Sequence, residues 1–318
     1  MNTRRLFGRV AASMLSLGFL LGSTHAAHAK PSATDVKVNG YVEIINTWSE
    51  YVYKNRDRYA KAVADMKTGP TCKERDVPSL GGVGDDAPNE YKQLRKAINK
   101  TPKLDADAAA LAMVTALEDM LKPTKDADTY YSSRKYKDDN CKHGQELHPV
   151  LVQAWDKYIQ GEQVVRAFVE KYNDDREAKD LVAAQKKYGK GFHYYHLKML
   201  IDSKLLVRAV DGAGGPKSDA SQLQDLRTTF QQSVSEAQEL VKKGKGGKNS
   251  DAIYEGGYEQ MVGYAADYAK NVDAYVKKLD TASKATENDR KSARKEAIAS
   301  YNSFVEQSNK VAYGTGMK

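Results

Sequence analysis

The residues best suited to chemistry are histidines. His193-Tyr194-Tyr195-His196 sets two imidazoles three positions apart. On a helix that spacing places both rings on one face, one turn apart, within reach of a single metal ion. His143, Glu146 and His148 could add ligands from a loop and the helix after it. Two ligands at i and i+3 do not define a site, and Phe192, Tyr195 and Met199 form an apolar stripe that His193 and His196 flank. The expected reading is therefore no metal, with His193, His196, His143 and His148 as the metal-binding alternative. His148 precedes Pro149, a residue suited to the first helical position, so its expected role lies at a helix start.

Other reactive groupings lack context. Gly81-Gly82-Val83-Gly84 and Gly212-Ala213-Gly214-Gly215 are glycine-rich but miss the strand, helix and Lys-Ser/Thr that a phosphate cradle needs. Asp138-Asp139-Asn140 and Asp174-Asp175 are not followed by the glycine and distal glutamate of a calcium loop. No Gly-x-Ser-x-Gly elbow occurs, and neither cysteine sits in a histidine-paired signature. The chain reads as a non-enzyme with no catalytic residue and no cofactor.

The elements that would position these residues are helical. Val38, Tyr41, Ile45, Trp48, Val52, Asn55, Tyr59, Val63 and Met66 recur every three or four positions and predict a helix over 35–67. Thr68 to Asn89 holds three prolines and four glycines and reads as a long polar loop. Helix is expected again over 89–99 and from 105 to 121, with Leu104, Ala108, Leu111, Leu117 and Leu121 facing one way and Pro123 kinking or ending it. A short helix over 129–134 could follow. Residues 149–209 form the longest helical region. Asp174-Asp175 and Gly189-Lys190-Gly191 are its expected interruptions, and Gly161 marks a close helix contact. Leu223 to Val241, Tyr254 to Leu279, and Ile298, Tyr301, Val305, Ser308 and Ala312 supply further stripes. No strand or hairpin signal appears. The fold class predicted is all-α: an elongated antiparallel bundle of about six to eight helices, as one bundle or two lobes. Tyrosine outnumbers phenylalanine 20 to six, as expected where rings are buried and hydroxyls reach water or a partner.

The first 29 residues read as a secretory signal. Arg4, Arg5 and Arg9 precede an apolar run from Val10 to Gly22, and Ala27-His28-Ala29 offers a cleavage site after Ala29. That run is shorter than the roughly 20 residues a membrane span requires. It contains no cysteine for a lipid anchor. A periplasmic or secreted chain, with one helical domain over 30–318, is expected. Removing the leader takes away three arginines and no acid, so the net charge falls from +8 to +5. The charges are interspersed and Lys242-Lys243-Gly244-Lys245 reads as a solvated loop, so nucleic acid is not an expected partner. In an oxidising compartment, Cys72 and Cys141 are expected to pair, two buried free thiols being the alternative.

Two segments, Tyr59 to Arg75 (YAKAVADMKTGPTCKER) and Tyr136 to Pro149 (YKDDNCKHGQELHP), resemble the YiiG-like family of bacterial exported or lipoprotein domains. Asn39 to Asn46 (NGYVEIIN) and Tyr301 to Asn309 (YNSFVEQSN) are similar to that family's ends. The resemblance spans residues 35 to 312 and implies a helical, exported protein with no established activity. Here the lipid-anchor cysteine of that family's lipoproteins is missing. A Cys72–Cys141 bridge would staple the two motif segments together. The surface then expected to meet an envelope protein or ligand comprises Lys67, Thr68, Gly69, Pro70, Lys137, Asp138, Asp139 and Asn140.

Overall fold

The computed structural model describes residues 31–63, 65–73, 79–82, 86–212, 220–244, 255–280 and 283–311. The expected leader over 1–29, Val83-Gly84 and Ala213-Gly214-Gly215 of the two glycine-rich runs, and Ala312 of the last stripe lie outside them. Eight α-helices account for most of what is described: α1 (Ala33–Ala62), α2 (Ala87–Ile98), α3 (Asp107–Ser132), α4 (Lys142–Tyr188), α5 (Phe192–Asp211), α6 (Ala220–Lys243), α7 (Glu255–Leu279) and α8 (Glu287–Lys310). A single 3-10 turn, Lys135–Lys137, separates α3 from α4. Among the described residues no strand occurs; one isolated bridge joins Asp65 and Gly69.

Local chemistry sets several of the ends. At the start of α1, Ser32 accepts the Asp35 N–H at 3.1 Å and the Asp35 carboxylate accepts the Ser32 N–H at 2.9 Å. Thr286 and Asp289 repeat this reciprocal cap at α8. Each pair satisfies two of the N–H groups that a helix start leaves without intrahelical partners. Gly189 and Gly212, at φ +72° and +63°, stop α4 and α5 in the left-handed region that a side chain disfavours.

The chain divides into two compact units, the first running to Lys171 and the second from Tyr172. In unit 1, α1 and α4 are antiparallel: Tyr41 meets Phe168, Ser49 Oγ lies 3.2 Å from Tyr158 Oη, and Tyr59 packs on Trp155. Val38, Val52, Tyr59, Ala110, Met113, Val114, Leu117, Leu151, Trp155, Tyr158 and Val165 are its most enclosed apolar side chains. In unit 2, α5, α6, α7 and α8 pack in sequence and α8 closes back on α5. His196 near the start of α5 meets Ser308 near the end of α8, and Asp211 at the end of α5 meets Arg294 near the start of α8. This is an up-down-up-down four-helix arrangement, with Phe230, Met261, Ala265, Tyr268, Val272, Ala297 and Phe304 in its core.

The all-α expectation holds, and so does the α1 stripe from Val38 to Val63, every member of which is buried. Several boundaries differ. Helix α1 ends at Ala62, and Val63 is already extended at ψ 143°. Pro123 does not end α3, which runs through it to Ser132 and absorbs the expected 129–134 helix. Thr124 and Ala127, just beyond, are buried, so packing outweighs the lost N–H. Asp174-Asp175 does not interrupt α4: Lys204 and Arg208 bind Asp174 at 2.7 and 2.9 Å from α5. The buried residues of α3 include Ala110, Met113, Leu117, Met120 and Thr124; of the expected line only Leu117 is among them, with Leu104, Leu111 and Leu121 half-buried and Ala108 exposed. The missing Cβ of Gly161 lets α4 approach the backbone of α3 at Ala109. A Cβ on Gly161 would stand 2.8 Å from Met113 Cγ and 2.9 Å from the Ala109 carbonyl. That is the close contact expected there. In α8 the buried positions are Ala293, Ala297, Phe304, Gln307 and Ser308, while Ile298, Tyr301 and Val305 are half-buried.

Candidate functional site

The two cysteines are bonded, with Cα atoms 5.6 Å apart. Cys72 lies in the segment after α1 and Cys141 immediately before α4. Around this bond the two quoted segments of unit 1 form one clasp. The peptide turns back at Gly69, whose φ of +82° suits a residue without Cβ and whose N–H donates to the Asp65 carbonyl at 2.9 Å. There is no room for a Cβ, which would fall 2.9 Å from His148 Cδ2. Gln145 donates its side-chain amide to the Pro70 carbonyl, and Cys141 Sγ lies 3.6 Å from the same oxygen.

His148 holds the other side. Its Nε2 lies 3.1 Å from the Met66 carbonyl and its Nδ1 2.9 Å from Tyr59 Oη, and the two rings stack. The ring is 7% exposed. The expected role at a helix start is therefore corrected. Helix α4 begins at Lys142, Pro149 lies inside it, and His148 ties the helix to α1 and the loop. The start of α4 is held by Asp139 instead. Its carboxylate accepts from the His143 N–H at 3.0 Å and from Tyr130 Oη at 2.7 Å. The Tyr130 hydrogen bond is the main force drawing the Asp139 carboxyl below its usual range.

Of the expected surface, Lys67, Thr68, Lys137, Asp138 and Asn140 are exposed, Asp139 is half-buried, and Gly69 and Pro70 are buried against α4. Sequence reasoning missed Tyr59, Gln145 and Gly144 as parts of the clasp. A Cβ at Gly144 would stand 2.8 Å from Tyr131 Oη and 3.1 Å from Cys141 Sγ. The signal was present in the quoted strings, but a glycine one turn into a helix declares its purpose only once its neighbours are placed.

The histidines do not converge on a metal geometry. His143 and His148 belong to unit 1, His193 and His196 to unit 2. Among the described residues no group of three His, Cys, Asp or Glu side chains could hold a metal ion. His196 is 7% exposed and its Nε2 lies 2.6 Å from Ser308 Oγ, which engages a nitrogen that a metal would use. Burial, with a smaller push from His193, lowers its pKa to about 3. His193 packs against Tyr188 at the α4–α5 junction, and His143 Nδ1 lies 3.2 Å from Glu146.

A second polar constellation, remote in sequence from the clasp, also serves architecture. Lys37, 7% exposed, donates to the Lys100 and Pro102 carbonyls at 2.9 and 2.8 Å and to Asp107 at 2.8 Å. All three ammonium protons are used, as burial of this charge demands. Tyr41 also donates to Asp107. Burial acts to raise the Asp107 carboxyl, but the Lys37 and Tyr41 hydrogen bonds, the Leu104 N–H and the Lys37 charge outweigh it and hold it low.

Residues 32–310 match the family described as "Protein of unknown function (DUF3829)". The chain belongs to this family. It is also 28% identical over 229 residues to the uncharacterized protein YiiG of Escherichia coli strain K12. The match takes in 71% of this chain and 64% of that protein, so the chain spans less than two-thirds of its relative's length. No solved structure matches it. The clasp lies within the matched region, and both segments quoted for the resemblance take part in it. Membership brings no reaction with it, and among the described residues no helix is long and apolar enough to cross a membrane.

Proposed function

We propose that the protein is an exported, non-enzymatic helical protein of the bacterial envelope that binds another protein, and that the clasp of unit 1 is its docking surface. The observation that carries this reading is the Cys72–Cys141 bond. It brings the flanks of two segments distant in sequence together, and on those flanks Lys67, Thr68, Lys137, Asp138 and Asn140 are exposed. A surface with both charge signs and short polar side chains fits a protein partner and a wet, salt-sensitive contact. Export rests on the leader read in residues 1–29, and the bridge agrees with an oxidising compartment.

The test places a photo-crosslinking residue at Lys67 and, separately, at Lys137, and identifies adducts formed in envelope fractions. One partner should be captured from both positions. The double substitution Lys67→Glu and Lys137→Glu should cut its capture at least tenfold while the helical circular dichroism signal is retained. Equal capture by the variant and the original would remove the docking surface. Intact mass of the exported product should begin at Lys30, and a product retaining its leader would remove the export reading.

A further inference from the structure

The bridge itself has the arrangement of a reducible clasp. Cys141 is 1% exposed, whereas Cys72 is half-buried between exposed Thr71 and Lys73. An incoming thiolate therefore reaches the Cys72 sulfur first. The sulfur that must leave is Cys141 Sγ, at the start of α4. It sits tightly over the first turn, since a Cβ on Gly144 would come within 3.1 Å of it. Because attack falls on the more accessible Cys72 sulfur, the electron pair must leave on Cys141 Sγ. Backbone conformation adds to the case. Cys72, Asn140 and Cys141 all have positive φ, at 54°, 54° and 68°, which non-glycine residues avoid unless the surroundings hold them there.

We propose that the Cys72–Cys141 disulfide is a redox-controlled clasp, opened by a dithiol reductant, whose reduction releases the 65–73 segment from α4. A thiolate of the reductant attacks Cys72 Sγ, the Cys72–Cys141 bond breaks, and its electron pair leaves on Cys141 Sγ. The second thiol of the reductant then attacks the mixed disulfide, closes the reductant's own disulfide and frees the Cys72 thiolate. The protein gains two electrons and the dithiol loses two. Two further ties of the segment to α4, Gln145 to the Pro70 carbonyl and His148 to the Met66 carbonyl, are hydrogen bonds that can exchange with water once the crosslink is gone. The consequence for docking rests on the reading given under Proposed function, because Lys67 and Thr68 would separate from Lys137, Asp138 and Asn140. The opening itself does not rest on it.

The experiment uses the oxidised protein in dithiothreitol redox buffers without denaturant. Reduction is followed by alkylation and mass, and release by the rate of tryptic cleavage after Lys67 and Lys73. Reduction should proceed in the native state, with the circular dichroism signal kept and cleavage at both lysines at least tenfold faster. Brief exposure to glutathione should leave the mixed disulfide on Cys72. Reduction that occurs only at the global unfolding rate, unchanged cleavage after reduction, or an adduct on Cys141 would each overturn the proposal. A Cys72→Ser variant provides a second route: it should match the cleavage rate of the reduced protein, and a rate equal to the oxidised form would also overturn it. Loss of partner capture on reduction is a separate readout. Its failure with opening intact would count against docking at the clasp, not against the clasp.

Discussion

At the residue scale, Gly161 and His196 show what a single position does. Gly161 sits where α4 meets the Ala109 carbonyl of α3, and backbone cannot move aside as a flexible side chain can. Gly161→Ala should destabilise the protein by about 1–3 kcal/mol despite alanine's better helix propensity. Urea unfolding would measure it. His196 is held neutral by burial, with its pKa lowered to about 3. Below the unfolded-state value, near 6.5, the unfolded chain takes up a proton that the folded one refuses. Stability is therefore complete above that value and declines as pH falls toward 3, by on the order of 4 kcal/mol for this group. His196→Gln retains a partner for Ser308 but cannot titrate. Its urea midpoint should fall less steeply between pH 6.5 and 4 than that of the original chain.

At the element scale, the linker between α2 and α3 is held to α1 by one ammonium. Lys37 links α1 to the Lys100 and Pro102 carbonyls and to Asp107, the first residue of α3. Lys37→Met fills similar space but leaves two carbonyls and a carboxylate short of a donor. The expected cost is about 2–4 kcal/mol, seen as a lower thermal midpoint. The depressed Asp107 carboxyl gives this latch a pH signature. Its contribution is present above the ordinary aspartate range and is lost as acid protonates the folded carboxylate. In the Lys37→Met protein that acid-sensitive part should shrink.

At the scale of the whole molecule, each unit has covalent or polar ties of its own. Both cysteines lie in unit 1. The bond closes a loop of 69 residues, worth about 4 kcal/mol on the chain-entropy view. Reduction should thus raise amide exchange in α1, the 65–73 segment and the start of α4, while α6, α7 and α8 keep their protection. Mass-detected hydrogen exchange on both redox forms would check it, and uniform loss across all helices would contradict it. Unit 2 has ion pairs between its own helices. Arg294 with Asp211, and Lys204 with Asp174 and Glu177, each join two helices.

Helix class, most breakpoints and the pairing of Cys72 with Cys141 were legible in the residues, because they depend on local terms. Apolar spacing selects the helix, Gly189 and Gly212 stop it, and an oxidising compartment pairs an even number of thiols. Where a local rule met a packed neighbour, the neighbour decided. Pro123, expected to kink or end its helix, and Asp174, expected to interrupt one, both lie in helix interior, where buried contacts and the α5 cations outweigh their local preferences. Of the α3 line from Leu104 to Leu121, Leu117 is buried while Leu104, Leu111 and Leu121 are half-buried and Ala108 is exposed, because the packed neighbours of α3 decide which of its residues are enclosed. His148 shows the same limit from the other side. Its sequence neighbour Pro149 suggested a helix start, while Tyr59 and the Met66 carbonyl, both more than 80 positions away, made it a structural tie. Burial and long-range partners are properties of the folded chain, and only the tertiary structure could assign them.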